Sequence, residues 1–399
     1  MRPGGLTALL AACALVAALT GCAGETSDDP SSQAPAAVAK TSSFHPVAGN
    51  FKPDRTSLTT CKGSFPCLEQ AFGNLVYRRG PKEGFAVLER MRRMTRGVES
   101  DCHRIVHAMG SAALARYDGD VARTFGEGES SCNSGYYHGI LERSFAGATT
   151  ELELQTRANE VCLNRQIRLS VWLNFSCLHG LGHGLMIQTG YNLTTSLGIC
   201  TGLQRDWNRE VCAGGVFMEN FFSTYGVESR WLKEDDPIYP CDAKVISEAF
   251  RVSCYLIVTS RVLDQNGYDW KQTAALCAQA EGRYRDVCFE SYGRDASGKT
   301  EHHVGRIVPL CGIARDDHEA CFFGAARELT SNDANPTRAA ALCRRAPKSD
   351  RPRCFYGIGT IVGQMHSASR AEQRAACARA DTTYAEDCRT GVEDELRSG

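Results

Sequence analysis

The chain predicts an all-α fold, a right-handed helical-hairpin repeat array (an α-solenoid) stapled by disulfides, and three observations carry that expectation. Of twenty cysteines, those from Cys162 onward fall into successive pairs: Cys162/Cys177, Cys200/Cys212, Cys241/Cys254, Cys277/Cys288, Cys311/Cys321, Cys343/Cys354 and Cys377/Cys388. The pairs recur every 32 to 41 residues, the period of a helix-turn-helix repeat. In AALCAQAEGRYRDVCFESYGR, VPLCGIARDDHEACFFGAARE and AALCRRAPKSDRPRCFYGIGT, one cysteine ends an apolar segment and the other follows a polar stretch. Two antiparallel helices bridged beside a short connection are the simplest reading of that layout. Glycine also stands three residues after the second cysteine at Gly135, Gly180, Gly215, Gly324, Gly357 and Gly391. Because glycine costs a helix interior about 1 kcal/mol against alanine, its recurrence at one register predicts close approach of a neighbouring helix.

The elements follow in order. Residues 1–21 read as an export signal: Arg2 supplies the charge, and Leu6 to Ala18 form an apolar run too short to span a membrane. The next residues, Leu19-Thr20-Gly21-Cys22, resemble the lipobox of bacterial lipoproteins. That resemblance implies cleavage before Cys22, lipidation of its sulfur, and display on the outer face of the bacterial cell membrane, in an oxidising extracytoplasmic compartment. Residues 22–60 are rich in Ser, Thr, Ala, Pro and Asp and read as a disordered tether, with a span of roughly 35 Å for a flexible coil. Residues 61–225 form a His-rich helical half, and residues 226–399 the C-terminal helical repeats. Helices are expected at about Pro81 to Thr95, Asp101 to Tyr117, Gly135 to Phe145 and Glu151 to Arg165.

Setting aside Cys13 and Cys22 leaves eighteen cysteines, an even number that reads as a disulfide framework in an exported chain. Each repeat staple closes a loop of about a dozen residues, worth about 3 kcal/mol by chain entropy. Cys61 and Cys67 can close a small loop, with Cys102 and Cys132 as partners across an insertion. The sequence leaves other connectivities among these four open. From Cys162 to about Arg397 the period and cysteine placement resemble the disulfide-stapled helical-hairpin repeat proteins related to tetratricopeptide arrays. The tetratricopeptide signature residues are absent, so the resemblance implies architecture alone.

A net charge of −1 with scattered basic residues argues against a nucleic-acid partner. There is no phosphate loop, Gly-x-Ser-x-Gly or dinucleotide fingerprint.

The chemistry gathers in the histidines. The stretch SCLHGLGHGLM carries His179 and His183, DCHRIVHAMG carries His103 and His107, CNSGYYHGILE carries His138 and Glu142, and CAGGVFMENFF carries Glu219. Spacing of four puts His103/His107, His138/Glu142 and His179/His183 each on one helix face. Counted from the preceding cysteine, His138 and His183 stand at plus six, His107 at plus five and Glu219 at plus seven. Neighbouring helices of a repeat array run about 8–10 Å apart, so matching registers converge. Five of the ten histidines are therefore expected on one inner surface as metal ligands, His103, His107, His138, His179 and His183, with Glu219 as a further ligand and Glu142 as ligand or catalytic base. A lone His-x-x-x-His is usually a surface or core pair; two of them and a His-x-x-x-Glu at equivalent repeat positions are not so easily set aside. Imidazole with carboxylate suits Cu, Fe or Zn. The absence of His-Glu-x-x-His excludes the usual zinc-protease arrangement. So many ligands exceed the need of one catalytic zinc, and the count fits a dinuclear site, or one metal with histidine left over as acid/base.

Arg294 and Arg327 stand at plus six and Arg261 at plus seven in later repeats. They are the expected substrate-binding residues for a small polar or anionic substrate, pairing with acids such as Glu290 or Glu328 being the bland alternative. His302-His303 reads as solvent-facing, His318 as part of a staple loop, His45 as tether, and Tyr136 and Tyr137 as packing. Two readings of the whole follow: a metal-dependent enzyme, oxidative rather than hydrolytic because imidazole is in excess, or a metal-binding or protein-interaction scaffold whose concave surface holds a protein partner.

Overall fold

A computed structural model describes residues 51–398 apart from Ser130, Asn133 and Tyr225, with the backbone alone for Arg96 and Ser100. The expected signal, Cys22 and His45 lie outside the described residues. Phe51 and Asp54, inside the segment expected as tether, are packed: the Phe51 ring lies against Gly73, and Asn74 Oδ1 accepts from the Asp54 N–H at 3.0 Å.

The protein is all-helical among the described residues. Its main helices are α1 (Phe65–Arg79), α2 (Cys102–Arg116), α3 (Gly135–Ser144), α4 (Val171–Gln188), α5 (Asp206–Phe221), α6 (Glu248–Tyr255), α7 (Val258–Gln265), α8 (Arg283–Lys299), α9 (His318–Asp333), α10 (Arg351–Met365) and α11 (Ala385–Ser398). Each packs on its successor, and both α6 and α7 pack on α8. The row also touches itself: α4 meets α10, and the Val171 N–H donates to Ser367 Oγ at 3.1 Å. Shorter helices precede these and pack on one another in turn, among them Trp270–Cys277, Val304–Ile313, Thr337–Cys343 and Arg370–Ala380. No helix among the described residues is long and apolar enough to cross a membrane.

Sequence explains the helix starts. Ser170 caps α4 by accepting from the Leu173 N–H, and Ser369 and Asp269 cap their helices likewise. Pro66 and Pro352 sit in the first turns of α1 and α10, where no donor is lost. The expected helices appear as Pro81–Met94, Cys102–Arg116, Gly135–Ser144 and Glu151–Val161. The segment holding His179 starts six residues before Cys177, so this histidine lies in mid-helix rather than in the first turn.

All eighteen cysteines are paired in nine disulfides, the seven repeat pairs together with Cys61–Cys67 and Cys102–Cys132. Two staples depart from the hairpin scheme. Cys102 opens α2 and Cys132 precedes α3, so this bridge ties the starts of two adjacent main helices. Cys241 lies in a turn, because Pro237 and Pro240 keep the segment before α6 from forming a helix. Replacing Cys343 and Cys354 together by serine should lower stability by about 3 kcal/mol in denaturant unfolding under oxidising conditions; an unchanged midpoint would show that the staple constrains nothing.

The recurring glycines sit where helices cross. A Cβ at Gly215 would stand 1.9 Å from the His179 carbonyl oxygen, and one at Gly324 2.0 Å from that of Glu290. The partner helix answers with its own glycine: a Cβ at Gly182 would meet the Cys212 carbonyl at 2.1 Å. Helices α4 and α5 thus approach backbone to backbone beside the histidines.

Candidate metal centre

The crossings bring the five predicted histidines together. Ring centroids are 4.6 Å apart for His103/His107, 5.3 Å for His107/His138, 4.8 Å for His138/His183, 5.1 Å for His138/His179 and 5.2 Å for His179/His183. Three groups have donor atoms within 4.8 Å of one another and could hold a metal ion: His103/His107/His138, His138/His179/His183, and Glu142/His183/Glu219. The first two share His138.

Hydrogen bonds fix which nitrogen of each ring is available. The His107 Nδ1–H donates to Glu142 Oε1 at 2.6 Å, the His183 Nδ1–H to Glu219 Oε2 at 2.9 Å, and the His103 Nδ1–H to the Cys132 carbonyl at 2.8 Å. Each such bond leaves the Nε2 lone pair for the centre, the usual arrangement behind a metal-bound imidazole. The Nε2 atoms of His103 and His107 then face each other at 3.1 Å. Two lone pairs in that position repel unless a metal ion or a proton lies between them. Ligands at 2.0–2.1 Å from one tetrahedral ion stand about 3.3 Å apart. His183 Nε2 and His138 Nδ1 are buried with no hydrogen-bond partner, the state of a donor atom placed for a ligand.

Sequence reasoning missed the residues that hold Glu219. Its Oε1 accepts from Tyr191 Oη at 2.6 Å and the Thr224 N–H at 2.8 Å, while Oε2 accepts from Thr224 Oγ1 at 2.7 Å as well as from His183. Ser223 Oγ donates in turn to Tyr191 Oη at 2.7 Å. Tyr191 and Thr224 lie in connections with no periodicity, so nothing in the sequence marks them.

Burial, with like neighbours adding, lowers His103, His179 and His183 to about 3 and holds His138 well below its ordinary value. These imidazoles are neutral at pH 7, as ligation requires. Burial works against protonation of His107, but Glu142 overrides it and the net shift is upward. Burial, with the charge of Glu142 adding, pushes Glu219 up, against the Tyr191 and Thr224 hydrogen bonds that favour its charged form. On acidification the unfolded chain protonates its histidines near 6.5, while His103, His179 and His183 stay neutral until about 3 and His138 is held neutral well below its ordinary value. The unfolded state then binds more protons, and stability falls with pH in that window. Glu219 and His107 act oppositely but are outnumbered. Denaturant midpoints of chelated protein should therefore decline from pH 6.5 downward; a midpoint rising toward pH 4.5 would contradict the burial of neutral rings.

Two cavities flank the centre. One of about 1070 Å³ is lined by His103, His107, Glu142 and His183 together with Glu69, Arg104 and Thr224. The other, of about 400 Å³, reaches His179 and holds Arg294 and Arg327. Of the three predicted arginines, Arg261 stands apart, its Nη2 donating to the Lys233 carbonyl at 2.8 Å. Arg294 is committed to the Leu256 carbonyl at 3.0 Å, to Ser260, and to Asp295 at 2.8 Å, within a buried network in which Thr259 Oγ1 donates to Asp295 Oδ2 at 2.6 Å. Truncating Arg294 to leucine should thus cost about 2–4 kcal/mol of stability, because it leaves Asp295 buried without its cation; an unchanged unfolding midpoint would refute a structural role.

No family model, curated protein or solved structure matches this chain.

Proposed function

We propose that the chain is an exported lipoprotein, anchored through Cys22, whose His/Glu cluster binds two transition-metal ions around a shared His138 and serves a metal-dependent reaction. The observation that carries the metal reading is the pair of facing Nε2 atoms of His103 and His107, each with its Nδ1 already committed. Nine disulfides support folding in an oxidising extracytoplasmic compartment. The sequential helix contacts support a solenoid of hairpins.

The excess of imidazole over carboxylate favours copper or iron, and oxidative chemistry, over hydrolysis with zinc. A bound ion of the first kind would supply the redox step, and zinc would supply a water nucleophile near neutral pH. The chain's own residues orient and exclude. Glu142 and Glu219 lock His107 and His183 in their ligating tautomers, and Glu142, beside the larger cavity, is placed to take a proton from a bound substrate.

The test is titration of chelated protein with Cu²⁺ and Co²⁺ followed by visible absorption, then addition of azide as an exogenous ligand. Saturation near two ions per chain with a spectrum that azide shifts is the expected result. No uptake would refute the metal reading. A spectrum indifferent to azide would mean a closed coordination shell, which is the behaviour of a scaffold or a storage protein.

A further inference from the structure

The smaller cavity is chemically unlike the larger one. Its walls come from α4, α5, α6 and α8 to α11, and one end is aromatic. Trp172, Phe175 and Trp207 form a run with ring centroids 6.1 and 6.4 Å apart, and Phe175 stacks on His179 at 5.6 Å and 13°. The spacing Trp172, Phe175, His179 places all three on one face of α4. Gly214 keeps the imidazole edge open: a Cβ there would lie 3.4 Å from His179 Nδ1 and near no other residue.

Two buried donors of this cavity are uncommitted, while Glu210 adds an exposed carboxylate to its wall. The Trp172 indole N–H and the Arg327 Nε–H are buried with no acceptor. The Arg327 guanidinium lies over the Phe323 ring at 5.5 Å and makes no ion pair among the described residues. Glu290 is close to it but bonds Arg353 Nη2 at 3.1 Å, and Glu395 accepts from Gln364 Nε2 at 2.7 Å. A buried donor without an acceptor is costly, and an arginine fork beside apolar walls matches a carboxylate.

We infer that this cavity binds a ring-bearing organic acid, its apolar body against Trp172, Phe175 and Trp207 and its carboxylate on Arg327, next to His179. The binding stands on the cavity alone; its role as the substrate site rests on the metal-centre reading above. Trp172, Phe175 and Gly214 escaped sequence reasoning, although the helical spacing of Trp172 and Phe175 from His179 was the signal available.

Isothermal titration calorimetry on the full exported chain, with metal content assayed in the same batch, tests this with three probes: indole-3-propionate, its amide, and tryptamine. The acid should bind, with amide and amine at least about tenfold weaker. Arg327→Met should reduce the acid to the level of the amide, and Gly214→Leu should weaken acid and amide alike, with circular dichroism unchanged. Arg327→Gln gives the same readout should methionine disturb packing on Phe323. Equal binding of acid and amide, preference for the amine, no binding of any probe, or an acid preference that survives loss of Arg327 would overturn the inference. Acid binding to protein that takes up no metal would uphold the cavity while sinking the metal centre, and metal uptake without acid binding would do the reverse.

Discussion

Replacing Gly139 by alanine is expected to empty the metal centre although no ligand is altered. A Cβ at this position would lie 2.0 Å from the His107 carbonyl oxygen and 2.8 Å from its Cα. These are backbone atoms of a helix, so nothing can rotate away, and α2 and α3 must separate by more than an ångström. Overpacking of this kind costs about 1–3 kcal/mol or more. The functional effect should exceed the structural one. His103 and His107 ride on α2 while His138 and Glu142 ride on α3, so the same displacement pulls the 2.6 Å His107–Glu142 bond apart and breaks the first ligand group. Gly198→Ala is the control: nothing lies within 4 Å of its added Cβ, and it sits in a helix, so stability should hold or rise by up to about 1 kcal/mol. Metal analysis beside denaturant unfolding of both variants checks this. Full metal content in a Gly139→Ala protein would show that the crossing does not position the ligands.

The second large effect is expected at Glu219. Its two oxygens accept four donors, from His183, Tyr191 and twice from Thr224. Glutamine keeps the shape but supplies one oxygen and an amide that faces donors. Either His183 loses its acceptor and with it the tautomer that frees Nε2, or the loop around Thr224 does. Loss of such an orienting carboxylate typically lowers metal affinity 10–100-fold. Thr224→Val removes only one donor and leaves the His183 bond intact, so its effect on affinity should stay below about tenfold. Competition with a chromophoric chelator measures both. Equal affinities of Glu219→Gln and wild type would show that the carboxylate merely fills space.

The architecture was legible because its signals are covalent and periodic. The cysteine pairs encode the staples, and the plus-three glycines encode the crossings, where a carbonyl of the preceding main helix stands in or beside the room a side chain would need. The His/Glu cluster was legible for the same reason: His-x-x-x-His and His-x-x-x-Glu at nearby repeat registers converge once the helices stack. What the sequence concealed depends on side chains meeting from distant repeats. Arg294 and Arg327 share a register and Arg261 stands one residue on, yet Arg261 donates to a loop carbonyl, Arg294 is consumed by Asp295, and Arg327 is left with its Nε–H unanswered. Register fixes the face of a helix, whereas the partner across it decides the role. Tyr191 and Thr224 act through connections whose paths no periodicity records.

The most direct test of the central claim is metal content, measured by inductively coupled plasma mass spectrometry on protein exported and oxidised in its own compartment, beside a His107→Ala/His183→Ala double variant. Transition metal near two ions per wild-type chain, lost in a variant that keeps its helical spectrum, is the predicted result. Wild type that is free of metal and takes up none from copper, iron or zinc salts would contradict it.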